Sequence, residues 1–179
     1  MVCSSPFMGR WRRSRRRGAS EGRGRIWARA KVTSPVPLAD LLGPDAHITA
    51  IDKDANALRG LSSRFETRVA DFTKPLDLHD LDGVLMANSL HFVRDKQPVL
   101  EAVRNMLRPG GRLIIVEYGA DRGNPWVPYP FTYPQWEKIA ARAGFENTKL
   151  LHTIPSRWLG SMYAAITWVP SPLQGRGSG

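Results

Sequence analysis

Cysteine is nearly absent from this chain: its 179 residues include one, Cys3. A single thiol excludes an internal disulfide framework and is compatible with a reducing, cytoplasmic compartment. No apolar run approaches the roughly 18 residues needed to span a bilayer, so no membrane partner is expected. His79 and His152 have no neighbours at metal-ligand spacing, and no metal site is expected. Acid is missing from one end. Residues 1–31 hold nine Arg, one Lys and only Glu21 as an acid, a net charge of +9 out of the chain's +10. The other 148 residues carry sixteen basic and fifteen acidic side chains, a net +1. The basicity that suggests a nucleic-acid binder is therefore confined to one segment. By composition that segment is disordered on its own. It reads as a solvated tail, an organelle-targeting segment, or an arm that would contact nucleic acid through residues 10–31.

What is present is enough for one domain with a sizeable core. The organising stretch runs from Leu81 to Tyr118. Gly83 to Ala87 is a short apolar run, as in a strand covered on both faces. Val99, Leu100, Val103, Met106 and Leu107 recur at helical spacing between Lys96 and Leu107, and Pro109-Gly110-Gly111 then turns the chain. Arg112 to Tyr118 is a second, β-branched strand. A strand–helix–strand unit of this length predicts a parallel pair with a right-handed crossover.

Upstream, Pro37 to Gly43 reads as a helical fragment and His47 to Asp52 as a strand. Asp54 to Phe65 reads as a helix capped by Asp54, and Thr67 to Asp71 as a further strand. Pro75 to Asp82 is an acidic loop. Downstream, residues 119–134 are rich in Gly, Pro and aromatics, which suits an ordered loop or a lid above the sheet. Tyr133 to Gly144 predicts a helix with Trp136, Ile139, Ala140 and Ala143 inward. Phe145 to Pro155 and Leu159 to Trp168 predict an antiparallel hairpin. The pattern is a doubly wound α/β fold with a mostly parallel sheet and a C-terminal antiparallel hairpin. Its first strand is missing or degraded. The expected domain is 38–169, between a basic segment 1–37 and a flexible tail 170–179.

Ligands of open parallel sheets sit beyond the carboxyl ends of the strands. Asp52 ends one strand, where an acid can accept from both hydroxyls of a ribose. Asp71 ends the next and could accept from an exocyclic adenine amine, with Phe72 beside the ring. Each alone would be an ordinary loop acid or helix cap; together they favour a nucleoside cofactor. His91 is a candidate general base, since its unperturbed pKa is near neutrality; the alternative is a structural residue packed on Phe92. Glu117 and Tyr118 either contact substrate or finish a strand. Trp126, Tyr129, Phe131, Tyr133 and Trp136 read as core and lid packing.

HITAID, TRVAD, LDGVLMANSLHFV and LRPGGRLIIVEY resemble class I S-adenosylmethionine-dependent methyltransferases over about residues 38–168. The resemblance implies a Rossmann-like methyltransferase fold, S-adenosylmethionine as cofactor and a small-molecule methyl acceptor. It implies Asp52 as the ribose-binding acid, Asp71 as the adenine-side acid and Asn88 beside the cofactor's methionine part. The family begins with a strand and a glycine-rich turn, roughly D-x-G-x-G-x-G, that lets the backbone approach the methionine moiety. This chain has RGRIWARAKVTSPVPLADLLG there instead. Back-translating Arg25 to Pro37 with GC-rich codons, each begun one base earlier, permits D-L-G-A-G-E-G-N-F-T-R-A. The first Gly is forced by Trp27 and Ala28. Residues 1–37 would then be an out-of-frame reading of the first strand, which the gene sequence across these codons tests.

Two rival functions follow from the same residues. One is a non-catalytic methyltransferase-like interaction protein with an Arg-rich nucleic-acid-binding arm, whose binding would be salt-dependent. The other is a dehydrogenase using Asp52 for the ribose. Nothing in residues 124–134 selects the acceptor, and the oligomeric state is open.

Overall fold

The computed structural model describes residues 25–30, 42, 45–61, 63 and 65–172, the first of these segments by its backbone. Seven strands form one sheet: β1 Arg25–Ala30, β2 His47–Asp52, β3 Phe65–Val69, β4 Leu81–Ala87, β5 Leu107–Gly119, β6 Glu146–Pro155 and β7 Ser161–Trp168. Their order across the sheet is β3-β2-β1-β4-β5-β7-β6. Strands β1 to β5 pair in parallel, and β7 pairs antiparallel with both β5 and β6. The winding direction reverses between β1 and β4, the place where open α/β sheets bind ligands.

The expectation of a missing first strand is corrected here. Arg25–Ala30 lies between β2 and β4, with Ile26 opposite both Ile48 and Gly83. Among the described residues the sheet therefore includes a strand ahead of residue 38. The helical fragment expected over Pro37–Gly43 and the place of the glycine turn lie outside the described residues, apart from Leu42, which is helical.

A second correction concerns Asp54 to Phe65. The helix α1 spans Ala55–Leu58 only, capped by Asp54, whose carboxylate accepts the Asn56 N–H at 2.9 Å. Gly60 at φ +80° turns the chain out of the helix, and such a left-handed position ends helices readily. Phe65 is instead the first residue of β3, paired with Ile48 and buried beside it.

Helix α2, Gln97–Met106, buries Val99, Leu100, Val103 and Met106, the stripe read from the sequence. Helix α3, Tyr133–Arg142, starts at Thr132, whose N–H donates to the Gln135 side chain at 2.8 Å, and ends at Gly144 with φ +80°. Trp136 and Ala140 are fully enclosed, in one cluster with Met86, Leu100, Leu113, Ile115 and Tyr163. The Pro109-Gly110-Gly111 turn lies within β5 rather than before it. Leu107 pairs with Leu81 and Arg112 with Gly83, so the turn is a bulge absorbing three extra residues. A Cβ on Gly111 would stand 2.7 Å from the Arg108 carbonyl oxygen and 3.1 Å from that of Leu81, which only glycine avoids.

Candidate functional site

Parallel pairing brings the carboxyl ends of β2, β3, β4 and β5 to one edge. Asp52 is buried there, and its Oδ1 accepts the Asp54 N–H at 3.0 Å, which fixes the carboxylate at the strand end. The Asp52 carbonyl accepts the Ala70 N–H at 3.0 Å, holding Asp71 one residue away. Asp71 Oδ1 accepts the N–H and the hydroxyl of Thr73, both at 2.9 Å, in a local turn. The two acids are thus neighbours. Phe72 belongs to the main apolar cluster.

The end of β4 is held in a left-handed conformation. Asn88 has φ +50° and donates its N–H to the Val116 carbonyl at 2.8 Å. Asn is among the few non-glycine residues that adopt this region readily. The buried Asn88 Oδ1 and Ser89 Oγ have no partner among the described residues. Buried polar atoms left unpaired cost about 1–3 kcal/mol each, so two adjacent ones at a strand end are open to bonding by a polar ligand or by water. An acceptor and a hydroxyl suit the amine and carboxylate of an amino-acid moiety.

Glu117, read from the sequence as either a substrate contact or the end of a strand, is enclosed within the protein. Along β5 it shares a face with Leu113 and Ile115, and all three are fully enclosed. Its carboxylate is taken up by the protein itself. Oε1 accepts the N–H groups of Ser89 at 2.8 Å and Leu90 at 2.7 Å, and Oε2 lies 2.6 Å from His91 Nδ1. The amides can only donate, which marks the carboxylate as the acceptor. The tautomer with Nδ1–H donating to Oε2 is the one that leaves Nε2 as an acceptor. The short 3₁₀ turn Leu90–Phe92 presents this ring between Phe92, at 4.2 Å between centroids, and Tyr118, at 5.4 Å edge-on. Burial, then the Glu117 charge, holds the Tyr118 phenol above its usual range, so it remains a donor at neutral pH.

The lid is clipped to this pair. The Tyr129 N–H donates to the His91 carbonyl at 2.9 Å, and Lys96 Nζ donates to the carbonyls of Val93 and Tyr129 at 2.9 and 3.1 Å. Desolvation lowers the Lys96 pKa, partly offset by the Glu117 and Asp95 charges. The lid aromatics divide: Phe131 is core, whereas Trp126 and Tyr129 are exposed. Among the described residues no three His, Cys, Asp or Glu side chains gather as a metal-ligand set, and no helix is long and apolar enough to cross a membrane.

Three features were missed in the sequence: the orphan Ser89 hydroxyl, buried Lys96, and the pairing of His91 with Glu117. The last had a signal. The alternation Leu113, Ile115, Glu117 points the acid inward, and a buried acid requires a partner.

Residues 32–113 match the family described as "Methyltransferase domain". The chain is 26% identical over 120 residues to the highly reducing polyketide synthase aurA of Calcarisporium arbuscula; the match covers 56% of this chain and 5% of that protein. Among solved structures, the carbon methyltransferase of CurJ aligns with a TM-score of 0.65 at 18% identity, over 86% of this chain and 50% of that one. The 1,6-didemethyltoxoflavin-N1-methyltransferase of Burkholderia thailandensis, solved with S-adenosylhomocysteine bound, aligns with a TM-score of 0.61 at 21% identity, over 83% and 72%. Those likenesses carry the fold. The match to methyl-transfer enzymes disfavours both the non-catalytic nucleic-acid reading and the dehydrogenase.

Proposed function

We propose that this chain, whose residues 32–113 match the methyltransferase-domain family, is a class I S-adenosylmethionine-dependent methyltransferase and methylates a small-molecule acceptor from which His91 removes a proton. The observation that carries this reading is the 2.6 Å pair between His91 Nδ1 and a fully buried Glu117. Bound S-adenosylmethionine supplies an electrophilic methyl group on a sulfonium. Asp52 would hold its ribose hydroxyls, Asp71 its adenine amine, and Asn88 with Ser89 its amino-acid end.

The chain's own part is positioning and proton transfer. Glu117 fixes the tautomer and orientation of His91, leaving Nε2 to accept the acceptor's proton. The imidazolium that forms is stabilised by the carboxylate, in a site where low dielectric strengthens that attraction. The protonated Tyr118 beside it is able to donate to an oxygen on which negative charge develops. Bringing the two reactants into line supplies much of the rest of the rate. A buried base matters most where the acceptor is a poor nucleophile until deprotonated. Taken with the polyketide synthase and carbon-methyltransferase names among the relatives, this favours a carbon flanked by carbonyls. The single cysteine fits a cytoplasmic setting.

The test is labelled methyl transfer by the purified 179-residue chain to a 1,3-dicarbonyl, a phenol and an amine, alongside calorimetric titration with S-adenosylhomocysteine. Transfer to the dicarbonyl that is lost in His91→Gln is expected. A folded chain that binds the nucleoside yet methylates none of the three would overturn the proposal.

A further inference from the structure

Beside the lid lies an open groove of about 450 Å³. Its walls carry Arg94, Lys96, Lys138 and Arg142 against one acid, Asp121, in a domain otherwise close to neutral. Lys138 and Arg142 stand four apart on α3, where like charges repel. Among the described residues, the charged groups of Arg94, Lys138 and Arg142 join no ion pair. Nearby acids are committed elsewhere: Glu101 accepts from the Gln97 side chain at 2.8 Å, and Asp95 accepts the Gln97 N–H at 3.1 Å.

Lys96 is built into the wall. It is 8% exposed, its ammonium lies 4.8 Å from the Phe131 ring centre, and two of its three donors serve the carbonyls of Val93 and Tyr129. Tyr129, which lines the same groove, is bonded through its N–H to His91. A set of cations without ion-pair partners, lining a groove one of whose wall residues is bonded to the His91 backbone, calls for an anion.

We propose that this groove seats an oxyanion, carboxylate or phosphate, that is carried by the methyl acceptor and anchors it while its reacting atom lies at His91. The inference deepens the preceding reading and rests on it for the identity of the ligand. It adds that the acceptor is charged, with its anionic group removed from the reacting atom by roughly the span from His91 to α3.

Binding and turnover separate the two claims. Acetoacetate and inorganic phosphate are titrated into the full chain by calorimetry at low salt, against the triple variant Arg94→Gln/Lys138→Gln/Arg142→Gln and against Lys149→Gln on the exposed side of β6. Binding to the parent chain is expected to weaken about tenfold in the triple variant, equivalent to about 1.4 kcal/mol, to weaken with added salt, and to be unchanged in Lys149→Gln. Preference for acetoacetate would place the charge on the small acceptor itself; preference for phosphate would indicate an acceptor delivered on a phosphate-bearing handle. Equal binding to parent and triple variant, or equal loss in Lys149→Gln, overturns the groove. Methylation rates for acetoacetate and for neutral acetoacetamide are then compared. Anion binding that depends on the groove, with neither compound methylated, leaves the groove standing and removes the catalytic reading. Methylation of both at one KM, with no groove-dependent binding, does the reverse.

Discussion

A carboxylate with no exposed surface is costly unless its lone pairs are filled, and Glu117 fills them with two amides and one imidazole. Exchanging it for Gln keeps the shape but turns an amide N–H₂ toward donors. Glu117→Gln is therefore expected to lose about 1–3 kcal/mol of stability, measured by denaturant unfolding, and to lower kcat together with it. His91→Gln removes the base, for which a drop of about 10²–10⁴ in kcat is expected, with affinity for S-adenosylhomocysteine unchanged by calorimetry. Unchanged kcat in His91→Gln would reduce the pair to a structural brace. The placement of Asp52 and Asp71 at neighbouring strand ends was legible because a strand followed by an acid is a local pattern. The His91–Glu117 bond was not, because it joins residues 26 apart that only the β4–β5 register brings together.

The lid is a built element. Asn124 Oδ1 accepts the N–H groups of Trp126 at 3.0 Å and Val127 at 2.8 Å, and the backbones of Asn124 and Val127 exchange two further bonds at 3.1 Å. A Cβ on Gly123 would collide with the carbonyl oxygens of Val127 and Pro128. Gly123→Ala is therefore expected to open this loop and release Tyr129 from His91, raising KM for the acceptor while the melting temperature moves by only a few degrees. A fall in melting temperature with KM unchanged would mean the loop serves the core. Elements with one strong period, such as α2 and α3, were legible. The Asp54–Phe65 helix was over-read because its apolar spacing was counted across Gly60, which breaks it, and because Phe65 is claimed by its pairing with Ile48. The first strand was passed over because two arginines in RIWARA contradict the continuous apolar run of an interior parallel strand.

At the scale of the whole molecule, three phenols report on the integrity of one core. Burial holds Tyr118, Tyr133 and Tyr163 above their ordinary range; the Glu117 charge adds to this for Tyr118 and Tyr163, and a hydrogen bond with Glu137 for Tyr133. A raised pKa means that the folded state keeps the proton more tightly than the unfolded one. The associated stability is complete below the unfolded value of 10.0 and is lost as pH rises above it. Unfolding free energy is expected to fall with pH from about 10 upward, less steeply in Tyr163→Phe. At pH 7 that variant should be at least as stable as the parent, because the buried Tyr163 hydroxyl has no partner among the described residues. A clear loss at pH 7 would show that the hydroxyl is bonded.

The place of β1 in the sheet also sets a timetable for synthesis. Its neighbour on one side begins at His47, but its neighbour on the other pairs Ile26 with Gly83, 57 positions later (83 minus 26). At translation rates of about 5–20 residues per second, roughly 3–11 s separate the appearance of Ile26 from that of its second partner. Throughout that interval one hydrogen-bonding edge of the future central strand stands bare, open to any other extended chain nearby. The edge of the central strand is therefore made well before the strand that covers it.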